Sequence, residues 1–181
     1  MEDQWRISEY DGQWKRLFQT LATNLRNNLG DVAVRIDHIG STSIEGMAAK
    51  PIIDVQISVT DLDNELLYRD PIEGIGFRCR SDNPGKTKRY FREVPGGRRT
   101  HIHVRQAGSI AEQMNLLFRD YLRNHPVDCL RYAEEKHRLM KQYKQERSKY
   151  VERKGPIVWE IMQRAHIWSM EMGWKPNKSD M

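Results

Sequence analysis

The chain has 181 residues, 38% hydrophobic and 30% charged, enough for one domain with a single core and long solvated helices. No apolar run approaches the roughly 20 residues that span a bilayer, and the opening "MEDQWRISEY" is too acidic and mixed for a secretory leader. The net charge is +5, and the two cysteines, Cys79 and Cys129, lie far apart in no metal-like spacing, so a reduced, cytoplasmic protein is expected.

In chain order, Asp11 is a good N-cap for a first helix. Trp14, Leu17, Phe18, Leu21 and Leu25 recur at helical spacing, and Gly30 closes it. "VAVRI" alternates as a strand with Val32, Val34 and Ile36 on one face. A small-residue turn, Gly40-Ser41-Thr42-Ser43, follows; 47–50 is expected to complete a short helix, and Pro51 opens the strand "IIDVQISV". A helix from about Leu62 ends near Gly74 or Gly76. Two strands, "KRYFREV" and "THIHVRQ", then flank a hairpin turn at "PGGR". Ser109 caps an amphipathic helix with Met114, Leu117, Phe118, Tyr121 and Leu122 as its buried stripe. Pro126 starts a long basic helix, Gly155-Pro156 breaks it, and a last helix precedes a frayed tail. The expected architecture is α+β. A mixed-sheet core occupies residues 1–125, C-terminal helices at 126–174 pack on it, and a flexible tail covers 175–181.

Charge is unevenly placed. From Arg131 to Lys154 there are nine Lys/Arg against four Glu, which accounts for the whole net excess. A solvated helix face laced with pairs such as Glu134–Arg138 is the plain reading. A positive wall beside a phosphate or nucleic-acid site is the alternative.

Chemistry concentrates between His38 and Val59. Gly40 lets backbone approach a ligand, and Ser41 at the head of a short helix offers a hydroxyl and free N–H groups, which suits phosphate. Asp54 then sits inside an apolar strand, where an ionised carboxylate is costly unless paired. A divalent metal bridging phosphate and carboxylate would supply that pairing; Lys50, an Arg or backbone donors are the structural alternative. His101 and His103, two apart in a strand, project from one face and suit a metal, a substrate or a proton. They are expected to face a cleft shared with Asp54, and His38 to join them. Lys50 and Arg92 are further candidate contacts to substrate. No nucleophile elbow, GxxxxGK[ST] loop or GxGxxG fingerprint is present.

"HIGSTSIEGMAAKPIIDV", "HIHV", "LLFRDYLRNHP", "YAEEKHRLMKQY" and the Tyr150–Lys154 stretch together resemble the GrpB family from about Trp5 to Trp168. That family looks like a divergent branch of the nucleotidyltransferase superfamily, whose members carry a Gly-Ser turn followed by an Asp-x-Asp strand. The resemblance implies a nucleotidyltransferase-like mixed sheet with flanking helices, and metal-assisted nucleotidyl or phosphoryl transfer to a small acceptor. Asp54, His101 and His103 would be catalytic, and with His38 would hold Mg or Mn, or a softer ion such as Zn or Ni. Gly40 to Ser43, Lys50 and Arg92 would hold a nucleotide or phosphorylated small molecule. Relatives fused to dephospho-CoA kinase hint at coenzyme A metabolism. One departure matters: the second strand acid is replaced by Gln56, a poor metal ligand. A catalytically silent binding module therefore stands as the alternative, and a nucleic-acid-binding accessory protein as a more distant one.

Overall fold

The computed structural model describes residues 6–82 and 85–181; the first five residues of the expected core lie outside this range. Helix α1 (Gln13–Leu29) leads into strand β1 (Ala33–Ile39) and, past the Gly-Ser turn, β2 (Ile53–Val59). A short α2 (Arg69–Gly74), β3 (Phe77–Cys79), β4 (Arg89–Glu93) and β5 (Thr100–Gln106) follow. The chain ends in α3 (Ile110–Asn124), α4 (Pro126–Gln142) and α5 (Arg147–Met172). The five strands form one sheet in the order β1-β2-β5-β4-β3. β2 and β5 run parallel and every other pair is antiparallel, so the sheet is mixed as expected.

Strand alternation divides the sheet into two working faces. Ile53, Val55, Ile57 and Val59 of β2 join Ile102 and Val104 of β5 under Trp14, Phe18 and Leu25 of α1. Asp54, Gln56 and Ser58 point the other way. There α3 covers Gln56 and Ser58, and both are wholly buried. Gln56 donates to the Glu112 carbonyl at 3.2 Å and accepts from Asn115 at 2.7 Å, while Ser58 bonds the Glu112 carboxylate. The cover stops short of Asp54. A second apolar cluster unites α3, α4 and α5 through Leu122, Tyr132, Ile161 and Ala165, and takes in Ile44 and Met47 from the loop after the turn.

Several local expectations are corrected. A register shift between Ala33 and Arg35 turns Val34 outward, 49% exposed, while Ala33 and Ile36 are buried. Residues 47–50 form no helix; Ala49 instead makes a two-hydrogen-bond bridge with Ser8. The expected helix from Leu62 shortens to a 3₁₀ turn at Glu65–Leu67 and then α2. Strand β3 was not expected. The basic stretch breaks at 143–146 rather than at Gly155-Pro156, and α5 runs through Pro156. An interior proline costs about 3 kcal/mol. Burial of Ile161 and Met162 beyond it returns about 1.5–3 kcal/mol each, so continuing the helix wins. Gly155 also removes the Cβ that a following proline ring would strike.

Residues 175–181, expected to fray, lie along the outer edge of β1. Ser179 Oγ bonds both the N–H and the carbonyl of Ile36, and Asp180 accepts from the His38 N–H at 2.9 Å. That edge strand is thereby capped by side chains. No helix among the described residues is long and apolar enough to cross a membrane.

Candidate functional site

The parallel register of β2 and β5 sets Asp54 directly opposite His101 and Gln56 opposite His103, with the Asp54 and histidine side chains on the face left open by α3. His101 Nδ1 lies 2.9 Å and His103 Nε2 3.7 Å from the same Asp54 oxygen, Oδ1. Among the described residues, these three form the group able to hold a metal ion, with one donor atom from each within 4.8 Å of the others. The opposite nitrogens, His101 Nε2 and His103 Nδ1, are buried without a hydrogen-bond partner. Orphaned buried polar atoms are rare in proteins, and two of those among the described residues fall in this cluster. Burial opposes ionisation of Asp54, but the hydrogen bond with His101 and the nearby His103 imidazole outweigh it and hold the carboxyl well below its ordinary range. Burial lowers His103, against the pull of Asp54, so this imidazole is neutral at pH 7. Tyr90, opposite His103 on β4, packs its ring against both imidazoles, at 5.1 and 5.6 Å between centroids.

The Gly-Ser turn closes one side of this triad. Gly40 has φ +71° and ψ −177°, a conformation essentially closed to residues with a Cβ. A Cβ there would also stand 2.6 Å from Asp54 Oδ2. Gly40→Ala is therefore expected to destabilise the fold by about 2–3 kcal/mol through strain and overlap together. A shift of the urea midpoint worth less than a third of that would show that the turn yields.

The candidate substrate contacts separate. Ser41 faces the triad's cleft. Thr42 Oγ1 donates to the Ile52 carbonyl at 3.0 Å and Ser43 Oγ to the Gly40 carbonyl at 2.6 Å, so those hydroxyls shape the turn. Arg92 stands opposite His101, yet its guanidinium grips Glu93 through two hydrogen bonds and does not line the cleft.

His38 is a correction. It pairs with Val55 rather than Asp54, so alternation sends its ring to the α1 face. It stacks on Phe18 at 4.6 Å, bonds Thr42 Oγ1 at 3.1 Å and takes no part in the metal group. Burial pushes it down to about 4, against the pull of Asp54, and leaves it neutral.

The cleft beside Asp54 and His101, about 330 Å³, is walled by Lys50, Arg99, Lys136, Arg147 and Lys154 around Tyr150. Asp54 is the one acid among the described residues lining it. The basic stretch divides between two faces, with Arg138 paired to Glu135 rather than the expected Glu134. Arg138 and Arg131 pair outward with Glu135 and Glu160, while Lys136, Arg147 and Lys154 face the cleft. Lys136, 4% exposed, is the least expected. It reaches from α4 to donate to Ser41 Oγ at 3.0 Å and to the Ala48 carbonyl at 2.6 Å. Burial, reinforced by Lys154, drops it to about 7; burial with Lys154, Arg147 and Arg99 does the same to Lys50. A signal for Lys136 was present: it falls four residues after Tyr132 and three before Leu139, inside the apolar stripe of α4.

The mixed sheet with its flanking helices has a nucleotidyltransferase-like fold. It aligns with the crystal structure of the Cid1 poly(U) polymerase at a TM-score of 0.50 and 15% identity, over 76% of this chain and 44% of that one. The family is narrower. The GrpB protein family matches residues 4–164, and the chain belongs to it. The UPF0157 protein BH1888 of Halalkalibacterium halodurans is 35% identical over 160 residues, 88% of this chain and 82% of its own. The crystal structure of the conserved protein GrpB from Enterococcus faecalis superposes at a TM-score of 0.81 with 30% identity, covering 88% of this chain and 96% of that one. A dephospho-CoA kinase of Mycolicibacterium paratuberculosis is 29% identical over 94% of this chain, which spans 48% of that protein.

Proposed function

We propose that the chain binds a nucleotide or a phosphorylated small molecule in this cleft and carries out metal-assisted nucleotidyl or phosphoryl transfer. The observation that carries the reading is Ser41, bonded to the buried Lys136 ammonium and lining the same cleft as Asp54 and His101. Asp54, His101 and His103 would hold the divalent metal, and their three donors fit one ion. When bound, such an ion neutralises phosphate charge and polarises a phosphoryl oxygen. Lys136 and Lys50 pair with the phosphate oxygens, while Gly40, lacking a Cβ, keeps the backbone close to Asp54.

Lysines near 7 make anion binding proton-coupled. An anion holds both ammonium groups charged, so affinity is greatest below pH 7 and falls as pH rises through and above 7. Sulfate, whose charge is constant in this range, is the clean probe. Its affinity should drop between pH 6 and 8 in roughly the sense of one to two protons taken up on binding, and Lys136→Met should flatten the profile. A flat wild-type profile would remove the lysine pair from the binding role.

The reading is tested by thermal shift against nucleoside triphosphates and coenzyme A precursors, with and without manganese, followed by turnover. Ligand at about 1,000 times its dissociation constant stabilises by about 4 kcal/mol. The burial of Gln56, both ends of its amide committed to α3, favours a second reading: a binding module that does not turn over. Stabilisation by nucleotide without product selects that one, and no stabilisation by any phosphorylated compound defeats both.

A further inference from the structure

We infer that Asp54, His101 and His103 form a mononuclear transition-metal centre, one that takes manganese, iron, cobalt, nickel or zinc in preference to magnesium. It deepens the reading above by naming its metal class, and rests on that reading only for its use.

The donors come from two adjacent hydrogen-bonded strands. Asp54 and His101 are register partners, and His103 is two residues further along the same face, so the backbone fixes their relative positions. Two ligands bound to one ion at about 2.0–2.1 Å lie about 3 Å apart when adjacent. His101 Nδ1 is already 2.9 Å from Asp54 Oδ1, and His103 Nε2 needs to close from 3.7 Å. Each imidazole thus turns a nitrogen toward the carboxylate.

The chemistry of the set excludes a magnesium pair. Magnesium takes hard oxygens in a strict octahedron and relies on carboxylates, of which this group has one. Two imidazoles and one carboxylate are the donors of later first-row ions, with open positions left over. Among the described residues no second acid joins the group. Gln56 occupies that place and is fastened at both ends under α3. Asp37, its partner on β1, is bound by Arg35 at 2.9 Å and lies 3.5 Å from buried Arg119. On the remaining side the Gly40 backbone stands so close to Asp54 Oδ2 that a single added carbon would collide.

The test uses the full chain stripped of metal and titrated with cobalt(II), followed by visible d–d absorption. One equivalent should bind. Stoichiometric zinc should displace it, and magnesium at about 100-fold excess should not, given the preference of imidazole sites. Asp54→Asn should abolish cobalt binding, and His103→Gln should weaken it at least about 10-fold. Displacement by magnesium, a stoichiometry of two, or unchanged cobalt binding in both variants overturns the centre. The competition needs no variant, so a misfolded mutant does not blunt it. Cobalt binding without any nucleotide effect would leave the centre standing and sink the transfer reading. Nucleotide turnover with magnesium and no cobalt site would do the reverse.

Discussion

Arg119→Met is expected to cost about 3–5 kcal/mol of folding stability, the penalty for leaving buried acids without their counter-charge. Arg119 lies on α3 with 1% exposure. Its Nε donates to Asp120 at 2.8 Å, and one terminal nitrogen reaches both Asp180 at 3.0 Å and the His38 carbonyl at 3.2 Å. Asp37 and Asp120 are themselves buried, so a methionine of similar volume fills the space but takes from Asp120 its 2.8 Å donor and from the His38 carbonyl a donor, leaving Asp120 with Trp174 and a more distant Arg123. Asp37 keeps Arg35, which bounds the loss from above. The same guanidinium joins β1, α3 and the chain's last residues, so one change loosens all three. Asp180→Asn, at a more exposed partner, should cost no more than about 1 kcal/mol. Urea unfolding of the two variants checks this ordering. An Arg119→Met loss under 1 kcal/mol would mean that water reaches the acids and that the network is structural decoration.

What was legible in the sequence follows from which rules act locally. Period-2 alternation is local, so Asp54 in "PIIDVQISV" and the pair in "HIHV" were readable, and the register of β2 with β5 joins them. The same rule misplaced His38. Its distance from Gly40 says nothing about whether it pairs with Asp54 or with Val55, and a one-residue difference in pairing moves a ring through the sheet. Val34 failed for a related reason, because a register shift leaves no compositional mark. The break in the basic stretch was read from Gly155-Pro156, the strongest local punctuation, whereas tertiary burial on both sides of Pro156 overrode it. Lys136 and Tyr90 needed a fact no local rule supplies, namely which element lies across the cleft. Both nonetheless sat at telling positions, Lys136 within an apolar helical stripe and Tyr90 on the face that Arg92 shares in β4.

Asp54→Asn is expected to abolish metal binding and to lower any phosphoryl- or nucleotidyl-transfer rate by at least about 10³-fold. Loss of a ligand removes the several kcal/mol of charge stabilisation the ion provides, at about 1.4 kcal/mol per tenfold. The response of wild type and variant to metal separates a functional acid from a structural one. Lys50, once the natural partner on paper, lies instead over the Tyr150 ring, 3.9 Å from its centroid, and the acid's contacts are imidazoles. Those contacts favour the ionised carboxylate against its burial, so Asp54→Asn should cost about 1–3 kcal/mol of stability without metal. The pH sense is fixed by the depressed Asp54 carboxyl. Its contribution is fully present above the unfolded value near 3.9 and disappears as pH falls through the lower folded value, so an asparagine variant should differ from wild type least in strong acid. With metal at about 1,000 times its dissociation constant, wild type should gain about 4 kcal/mol and the variant nothing. Denaturation of both proteins at pH 7, with and without manganese or zinc, reads every term. A variant clearly destabilised without metal, beside a wild type that no metal stabilises, would make Asp54 a structural acid and end the case for catalysis at this site.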